Sequence, residues 1–232
     1  MSAIELTTPL SKLPNFDPRK VPVVGVDAHL PPVAESALSP DALRQRFVMP
    51  PAWQPELLAE PRFADGAAVA ASVLIPIVLR HEPTVLLTQR TAHLSTHSGQ
   101  IAFPGGKQDA GEDRMATALR EAREEVGLHA EFVQILGTLP VYVTGSAFII
   151  TPVVALVREG FRLDRNAEEV EEVFEVPLRF LMDPSNHRRH VFEFGGVRRE
   201  WLSMPYVDGG NERFIWGATA GMLRNFYRFL SA

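Results

Sequence analysis

Residues 106–128, GKQDAGEDRMATALREAREEVGL, constrain this chain more than any other stretch. A glycine turn runs into a helix carrying Glu121, Glu124 and Glu125, and at about 100° per residue the three carboxylates fall within an arc of roughly 100°. The same wheel places Met115, Ala118, Leu119, Ala122 and Val126 on a separate apolar stripe, so one face can bury against a core while the acidic face stays clear. Asp113 has the short acceptor side chain of an N-cap, and Gly127 stands where a left-handed residue ends a helix. Together they predict a helix over 113–126.

Three carboxylates so close raise their own electrostatic energy, because like charges four residues apart destabilise a helix by roughly a few tenths of a kcal/mol. Hard divalent cations offset this: Mg²⁺ and Mn²⁺ take oxygen ligands, keep several waters and bridge readily to phosphate oxygens. Taken alone, the triplet reads more simply as a solvated helix face with Arg120 and Arg123 as local partners. The spacing around it decides against that. Gly106, five residues, Glu112, seven residues, Arg120-Glu121, two residues, Glu124-Glu125, one residue, Gly127-Leu128: the run resembles the Nudix box, GX5EX7REUXEEXGU, at every fixed position. Ala122, where the pattern usually has a larger aliphatic residue, is the one soft departure.

Immediately upstream, Leu86-Leu87-Thr88-Gln89-Arg90-Thr91, Leu94, His97 and Gly99-Gln100-Ile101-Ala102-Phe103-Pro104-Gly105-Gly106 resemble the LLTxRSxxLxxHxGQVxFPGG signature of the coenzyme A pyrophosphatase branch of Nudix hydrolases. Thr91 for Ser and Ile101 for Val are conservative. Read without the family, 85–88 and 99–103 are short strands and Pro104-Gly105-Gly106 is a turn that lets backbone approach a ligand. Residues 168–178 and 216–220 look like later segments of the same branch; physically the first is an acidic turn or short helix leading into Pro177, and the second opens an amphipathic C-terminal helix with Leu223, Phe226, Tyr227 and Leu230 available for the core.

The resemblance implies metal-dependent hydrolysis of the pyrophosphate bond of coenzyme A or a derivative, to 3′,5′-ADP and 4′-phosphopantetheine or its acyl form. It implies catalytic roles for Arg120, Glu121, Glu124 and Glu125. Glu121, Glu124 and Glu125 ligate Mg²⁺ or Mn²⁺, the general base is drawn from among them, and Arg120 orients the cluster by pairing with Glu112. Substrate contacts are expected from Arg90, His97, Gln100, Phe103, Gly105 and Gly106. The alternatives are a Nudix hydrolase for another nucleoside diphosphate derivative, such as ADP-ribose or NADH, and a catalytically silent nucleotide-binding module that retains the fold.

With 232 residues, 46% of them hydrophobic, the chain can build one substantial core. No run of ~18 apolar residues is long enough for a membrane span, and the N-terminal residues do not resemble a signal peptide. The absence of cysteine rules out disulfides and fits a cytoplasmic location. A net charge of −5 argues against sequence-independent nucleic-acid binding, which needs a basic footprint, and leaves a small phosphorylated ligand as the expected partner.

The division expected is a proline-rich arm over 1–64 and a Nudix domain over 65–232. Eleven of the nineteen prolines fall in the first 61 residues, so the arm is largely extended. Ser39 can cap one short helix over 40–48, with Pro40 in its first turn. Phe16, Leu43, Phe47, Trp53, Leu57 and Leu58 call for burial, so the arm packs on the domain or on a neighbouring subunit, which makes a homodimer through the arm the oligomer to expect. Strands follow over 68–79 and 84–89 as a hairpin, then over 132–136, 139–143 and 148–157, and late strands around 190–194, 197–204 and 213–215 precede the last helix. That order gives an α/β fold, a Nudix-type α/β/α sandwich with a mixed central sheet.

Overall fold

In the computed structural model, which describes residues 10, 13, 16–61, 67–91, 99–194 and 196–232, the apolar runs become strands of two sheets. The chain passes through β1 (Val23–Val26), α1 (Pro40–Val48), β2 (Val69–Val78), β3 (Thr84–Arg90), β4 (Ile101–Ala102), β5 (Gly105–Lys107), α2 (Arg114–Val126), β6 (Val133–Thr138), β7 (Tyr142–Val143), β8 (Phe148–Val157), β9 (Val170–Pro177), α3 (Leu178–Leu181), β10 (Arg188–Phe194), β11 (Val197–Asp208), β12 (Asn211–Trp216) and α4 (Gly217–Ser231).

The larger sheet is eight-stranded and mixed. Its spine is the parallel pair β2 and β8, in register from Val69↔Phe148 to Val78↔Val157. Both strands are buried on both faces, which is why they read as near-continuous apolar runs. Leu74, Val78, Leu86, Val153, Ala155 and Val157 meet Ala118, Ala122 and Val126 of α2 on one face. Ile75, Ile77, Val85, Leu87, Val154 and Leu156 meet Leu223 and Phe226 of α4 on the other. Each fully buried Val, Leu, Ile or Phe side chain among them contributes about 1.5–3 kcal/mol, and the two cores make the molecule an α/β/α sandwich.

β3 pairs with β2 only at Ile77↔Val85 and Val78↔Thr84, then diverges from it. The opening between them is filled by the glycine-rich segment: β4 pairs with β3 at Thr88↔Ala102 and Gln89↔Ile101, and β5 pairs with β2 from Ala71↔Lys107 to Val73↔Gly105. The split delivers Gly105 and Gly106 to the face covered by α2.

Three expectations are corrected. Residues 170–177 form strand β9 rather than an acidic turn or short helix, and pair with β3 from Thr84↔Pro177 to Arg90↔Val170. Val170, Phe174 and Val176 keep the inward alternation, but Glu172, which pairs with Arg213 at 2.6 Å, takes the inward place between the first two and so hides the strand in the sequence. The apolar stripe of α2 is narrower than the wheel suggests, because Met115 is 42% exposed and Leu119 only half-buried, while Thr117 and Glu125 are buried instead. Finally, the late strands do not join the central sheet. They form a second, antiparallel sheet in the order β1-β10-β11-β12, whose first strand comes from the arm.

α1 is capped by Ser39, whose Oγ accepts from Ala42 N at 3.3 Å, and Leu43 is fully buried. The arm lies on its own domain: the rings of Phe47 and Trp53 sit 4.8 and 5.2 Å from Phe229 of α4. Charges fasten it there. Arg189 forks onto Asp27 at 2.8 Å through Nε and Nη2 and reaches Glu56 at 2.7 Å. Arg224 of α4, 1% exposed, donates from Nε to Glu56 at 2.7 Å and lies 3.1 Å from Asp27. Buried charges persist only when paired and hydrogen-bonded, and here every member is. Among the described residues no helix is long and apolar enough to cross a membrane.

Candidate active site

Helix α2 begins where Asp113 Oδ1 accepts from Met115 N and Ala116 N at 2.8 Å each, and ends at Gly127, whose φ of 72° is left-handed. Glycine is required at 127 twice over, since a Cβ there would also lie 2.7 Å from Asp164 N. Between these caps the three glutamates occupy three different environments.

Glu125, 4% exposed, is on the border of the core. Its Oε2 accepts from Gly105 N at 3.1 Å and its Oε1 lies 3.6 Å from Arg90 Nη1. Burial pushes its carboxyl up to about 7, against the pull of the Gly105 N–H and Arg90. Glu121 packs against Gly106 so closely that a Cβ on residue 106 would overlap its carboxylate. Burial raises its ionisation as well, reinforced by the like charges of Glu124 and Glu169. The Glu124 side chain is 58% exposed and opens to solvent.

Arg120 knits the acidic face together. Its Nε and Nη2 meet Glu112 at 2.9 and 3.1 Å, and its Nη1 reaches both Glu121 and Glu124 at 2.9 Å. Nη2 also donates to the Lys107 carbonyl at 2.9 Å, tying the helix to the glycine turn. Hydrogen bonds from Arg120 hold the Glu112 carboxyl down near 2, and Thr117 Oγ adds a further bond at 2.8 Å.

The donor set is all carboxylate oxygen, the chemistry that suits a hard divalent cation. A buried acid whose ionisation is pushed up to about 7 is a group that such a cation would keep charged. Among the described residues, however, no three carboxylate or imidazole groups are already gathered at ligand spacing. Arg120 stands between Glu121 and Glu124 and satisfies them itself.

Of the expected substrate contacts, Arg90, Gly105 and Gly106 converge on Glu125 and Glu121. Gln100 adjoins them through its backbone, its carbonyl accepting from Arg90 N at 2.9 Å. His97 lies outside the described residues. Phe103 is 3% exposed and packs with Ile101 in the core on the α4 side, just beyond β4 and before β5 begins at Gly105; it is a packing residue here. Sequence reasoning missed Glu169. Its charge acts on both Glu121 and Glu125, its carbonyl accepts from Thr91 N at 3.0 Å, and its Oε1 accepts from Asn166 Nδ2 at 3.3 Å. The available signal was the acidic pair Glu168-Glu169 just before β9.

Comparison with known proteins agrees with this geometry. The family model described as NUDIX domain matches residues 69–194, more than half of the chain. A protein of Yersinia enterocolitica (serotype O:8 / biotype 1B) named "Uncharacterized Nudix hydrolase NudL" is 44% identical over 155 residues, covering 66% of this chain and 77% of its own. Its namesake in Yersinia pestis (strain Pestoides F) is 39% identical over 181 residues, covering 77% and 88%. Among solved structures, a C. elegans Ap4A hydrolase in binary complex overlaps 47% of this chain and 80% of its own at 22% identity, with a TM-score of 0.41.

Proposed function

Since the chain belongs to the Nudix family, whose hydrolases cut pyrophosphate bonds in nucleoside diphosphate derivatives, we propose that its substrate is coenzyme A or one of its thioester or oxidised derivatives, cleaved to 3′,5′-ADP and 4′-phosphopantetheine or its acyl form. One observation carries this reading: the segment that resembles the coenzyme A branch is folded onto the box. Arg90 N meets the Gln100 carbonyl at 2.9 Å, Gly105 N meets Glu125 at 3.1 Å, and the Arg90 guanidinium lies 3.6 Å from the same carboxylate. Residues that would select the substrate therefore touch a residue that would cut it.

Nudix hydrolases generally use divalent cations; Glu121, Glu124 and Glu125 would hold one here, and when bound it polarises phosphoryl oxygens and balances the charge of the leaving phosphate. The rest falls to the chain itself. Arg120 fixes the carboxylates of Glu121 and Glu124 relative to Glu112 and the glycine turn. Gly105 N–H anchors one oxygen of Glu125 and leaves the other toward Arg90, while the missing side chains of Gly105 and Gly106 let a pyrophosphate approach the backbone.

The test is product identification by mass after incubating purified protein with Mg²⁺ or Mn²⁺ and, separately, coenzyme A, ADP-ribose, NADH and nucleoside triphosphates. Coenzyme A should give 3′,5′-ADP and 4′-phosphopantetheine with the highest kcat/KM. Preferential cleavage of ADP-ribose or NADH would replace this substrate with another nucleoside diphosphate derivative.

A further inference from the structure

Beside Glu124, at the C-terminal end of α2, lies an open groove of about 520 Å³ walled by Arg123, His129, Arg162, Arg165 and Asn166. We propose that this groove is a subsite for a phosphate monoester carried by the substrate at a distance from the pyrophosphate. Resting on the coenzyme A reading above, that group is the 3′-phosphate of the ADP half.

Four observations lead to this. First, the charge is concentrated against the trend of the molecule: the chain carries a net −5, yet three arginines face one concavity whose acids are only Glu124 and Asp164. Second, those arginines are unspent. Most other arginines of α2, α4 and the two sheets pair with carboxylates, Arg120, Arg189, Arg213 and Arg224 among them. Among the described residues no carboxylate lies within 4.0 Å of the guanidinium nitrogens of Arg123, Arg162 or Arg165. Arg165 keeps one bond, from Nη1 to the Val170 carbonyl at 2.7 Å, which aims its head rather than neutralising it.

Third, the wall is built and not a loose loop. Asp164 N donates to the Val126 carbonyl at 3.0 Å and Asn166 N to the Glu125 carbonyl at 2.9 Å. These bonds join the arginine segment to the last turn of the catalytic helix. They also weaken an objection, since a helix C-terminus repels anions through its free carbonyls. Here the Arg123 carbonyl also accepts from Gly127 N at 3.0 Å, so with those of Glu125 and Val126 three of the last four carbonyls of α2 are already bonded. Fourth, Glu124 borders both the groove and the acidic face, so one ligand can span them. Arg90, by contrast, is directed to Glu125 at the reacting end. Guanidinium forks bind phosphate with charge-assisted, directional bonds, and an unpaired cluster of three is suited to a doubly charged monoester more than to a diester.

The probe is adenosine 3′,5′-bisphosphate against AMP, each titrated calorimetrically into the full chain in EDTA. The bisphosphate should bind about ten- to a hundredfold more tightly, the scale of one or two charge-assisted bonds. That advantage should fall toward unity in the Arg162→Gln/Arg165→Gln double variant, and be reduced in Arg162→Gln alone, which spares the Arg165–Val170 bond. Equal affinity for the two nucleotides in the parent protein, or an advantage that survives both variants, overturns the proposal. Turnover of coenzyme A and dephospho-coenzyme A, run alongside, separates the two readings. If neither is cleaved but the bisphosphate advantage stands and depends on Arg162, the coenzyme A reading falls and the phosphate subsite remains. If both are cleaved at a kcat/KM ratio that the variants do not move, the subsite falls and the enzyme assignment remains.

Discussion

Arg90 Nη1 lies 3.6 Å from Glu125 Oε1, and this is the cationic contact of a carboxylate that is otherwise enclosed by core. The pair joins the strand that carries the upstream signature to the helix that carries the acidic face. At that distance Arg90 moderates the cost of burying Glu125 but does not cancel it, since the carboxyl still ionises only near pH 7.

Glu125→Gln should therefore make the metal-free protein more stable while removing activity. Glu125 ionises near 7 when folded and near its ordinary 4.5 when unfolded, so its contribution to stability is intact below 4.5 and is lost as pH rises through 7. The displacement corresponds to at most about 3 kcal/mol. Glutamine keeps the acceptor for Gly105 N and carries no charge. In EDTA at pH 8 the variant should melt roughly 5–10 °C above the parent, with the gap shrinking toward pH 5. An unchanged melting temperature at pH 8 would contradict the buried-charge account, and near-normal kcat would remove Glu125 from the catalytic set.

The two glycines of the turn should fail in different ways. Gly106→Ala puts a methyl where the Glu121 carboxylate is, and a side chain can swing aside, so stability should change little while kcat falls by about a hundredfold or more. Gly105→Ala sets its methyl 2.6 Å from Val73 Cα, and backbone in the central strand cannot yield cheaply, so this variant should lose several kcal/mol. Urea unfolding and steady-state kinetics on both proteins read the contrast. Equal stability for the two would mean that β2 gives way more easily than its pairing suggests.

Arg120→Lys should preserve charge and lose geometry. One ammonium cannot reproduce the fork onto Glu112 together with the bonds to Glu121, Glu124 and the Lys107 carbonyl. The expected result is a fall in kcat of about ten- to a hundredfold with KM for substrate little changed, since the residue acts through the glutamates. A lysine variant with parental kcat would show that net charge alone organises the acidic face.

Acid should loosen the junction of arm and domain before it titrates most carboxylates. His187 is fully buried and uses both ring nitrogens as a neutral imidazole: Arg224 donates to Nδ1 at 3.1 Å and Nε2 meets the Leu181 carbonyl at 2.9 Å. Burial lowers its ionisation from 6.5 to about 4, so the unfolded chain takes up the proton first and stability is lost as pH falls from 6.5 toward 4. The expected loss is at most about 3 kcal/mol from this residue. His190, lowered in the same direction by burial, adds to it. Glu125 gains stability over nearly the same window, so the readout is a difference: in denaturant titrations from pH 7 to 4 the parent should lose stability relative to His187→Gln. A parent and a His187→Gln variant whose stabilities keep a constant difference across that window would refute the neutral, buried assignment.

Where element boundaries rest on local chemistry, the sequence carries them. Asp113 and Gly127 bracket α2, Ser39-Pro40 opens α1, and the mostly apolar run of 148–157 is β8 end to end. What it hides depends on distant partners. Glu172, whose partner Arg213 lies on β12, disguises β9, and β1 is recruited from the arm by β10, some 160 residues later in the chain, through pairs such as Val23↔His190. In the site, the glutamates of α2 are legible from spacing, whereas the influence of Glu169 and the inward turn of Phe103 follow from how β9 and β4 sit, which no local pattern encodes.

The charged clasp between arm and last helix bears on how the chain comes to be folded at all. Glu56 and Arg224 are separated by 168 positions, so while the polypeptide leaves the ribosome the arm is made long before its partner exists. Until α4 emerges, Leu43, Phe47 and Trp53 have no Phe229-lined surface to cover them, and the face of the central sheet beneath α4 is bare as well. Contacts of such long separation form late and slowly. In the nascent chain two apolar surfaces therefore stay uncovered until α4 is made, and the arm and the sheet face are buried together in one late step.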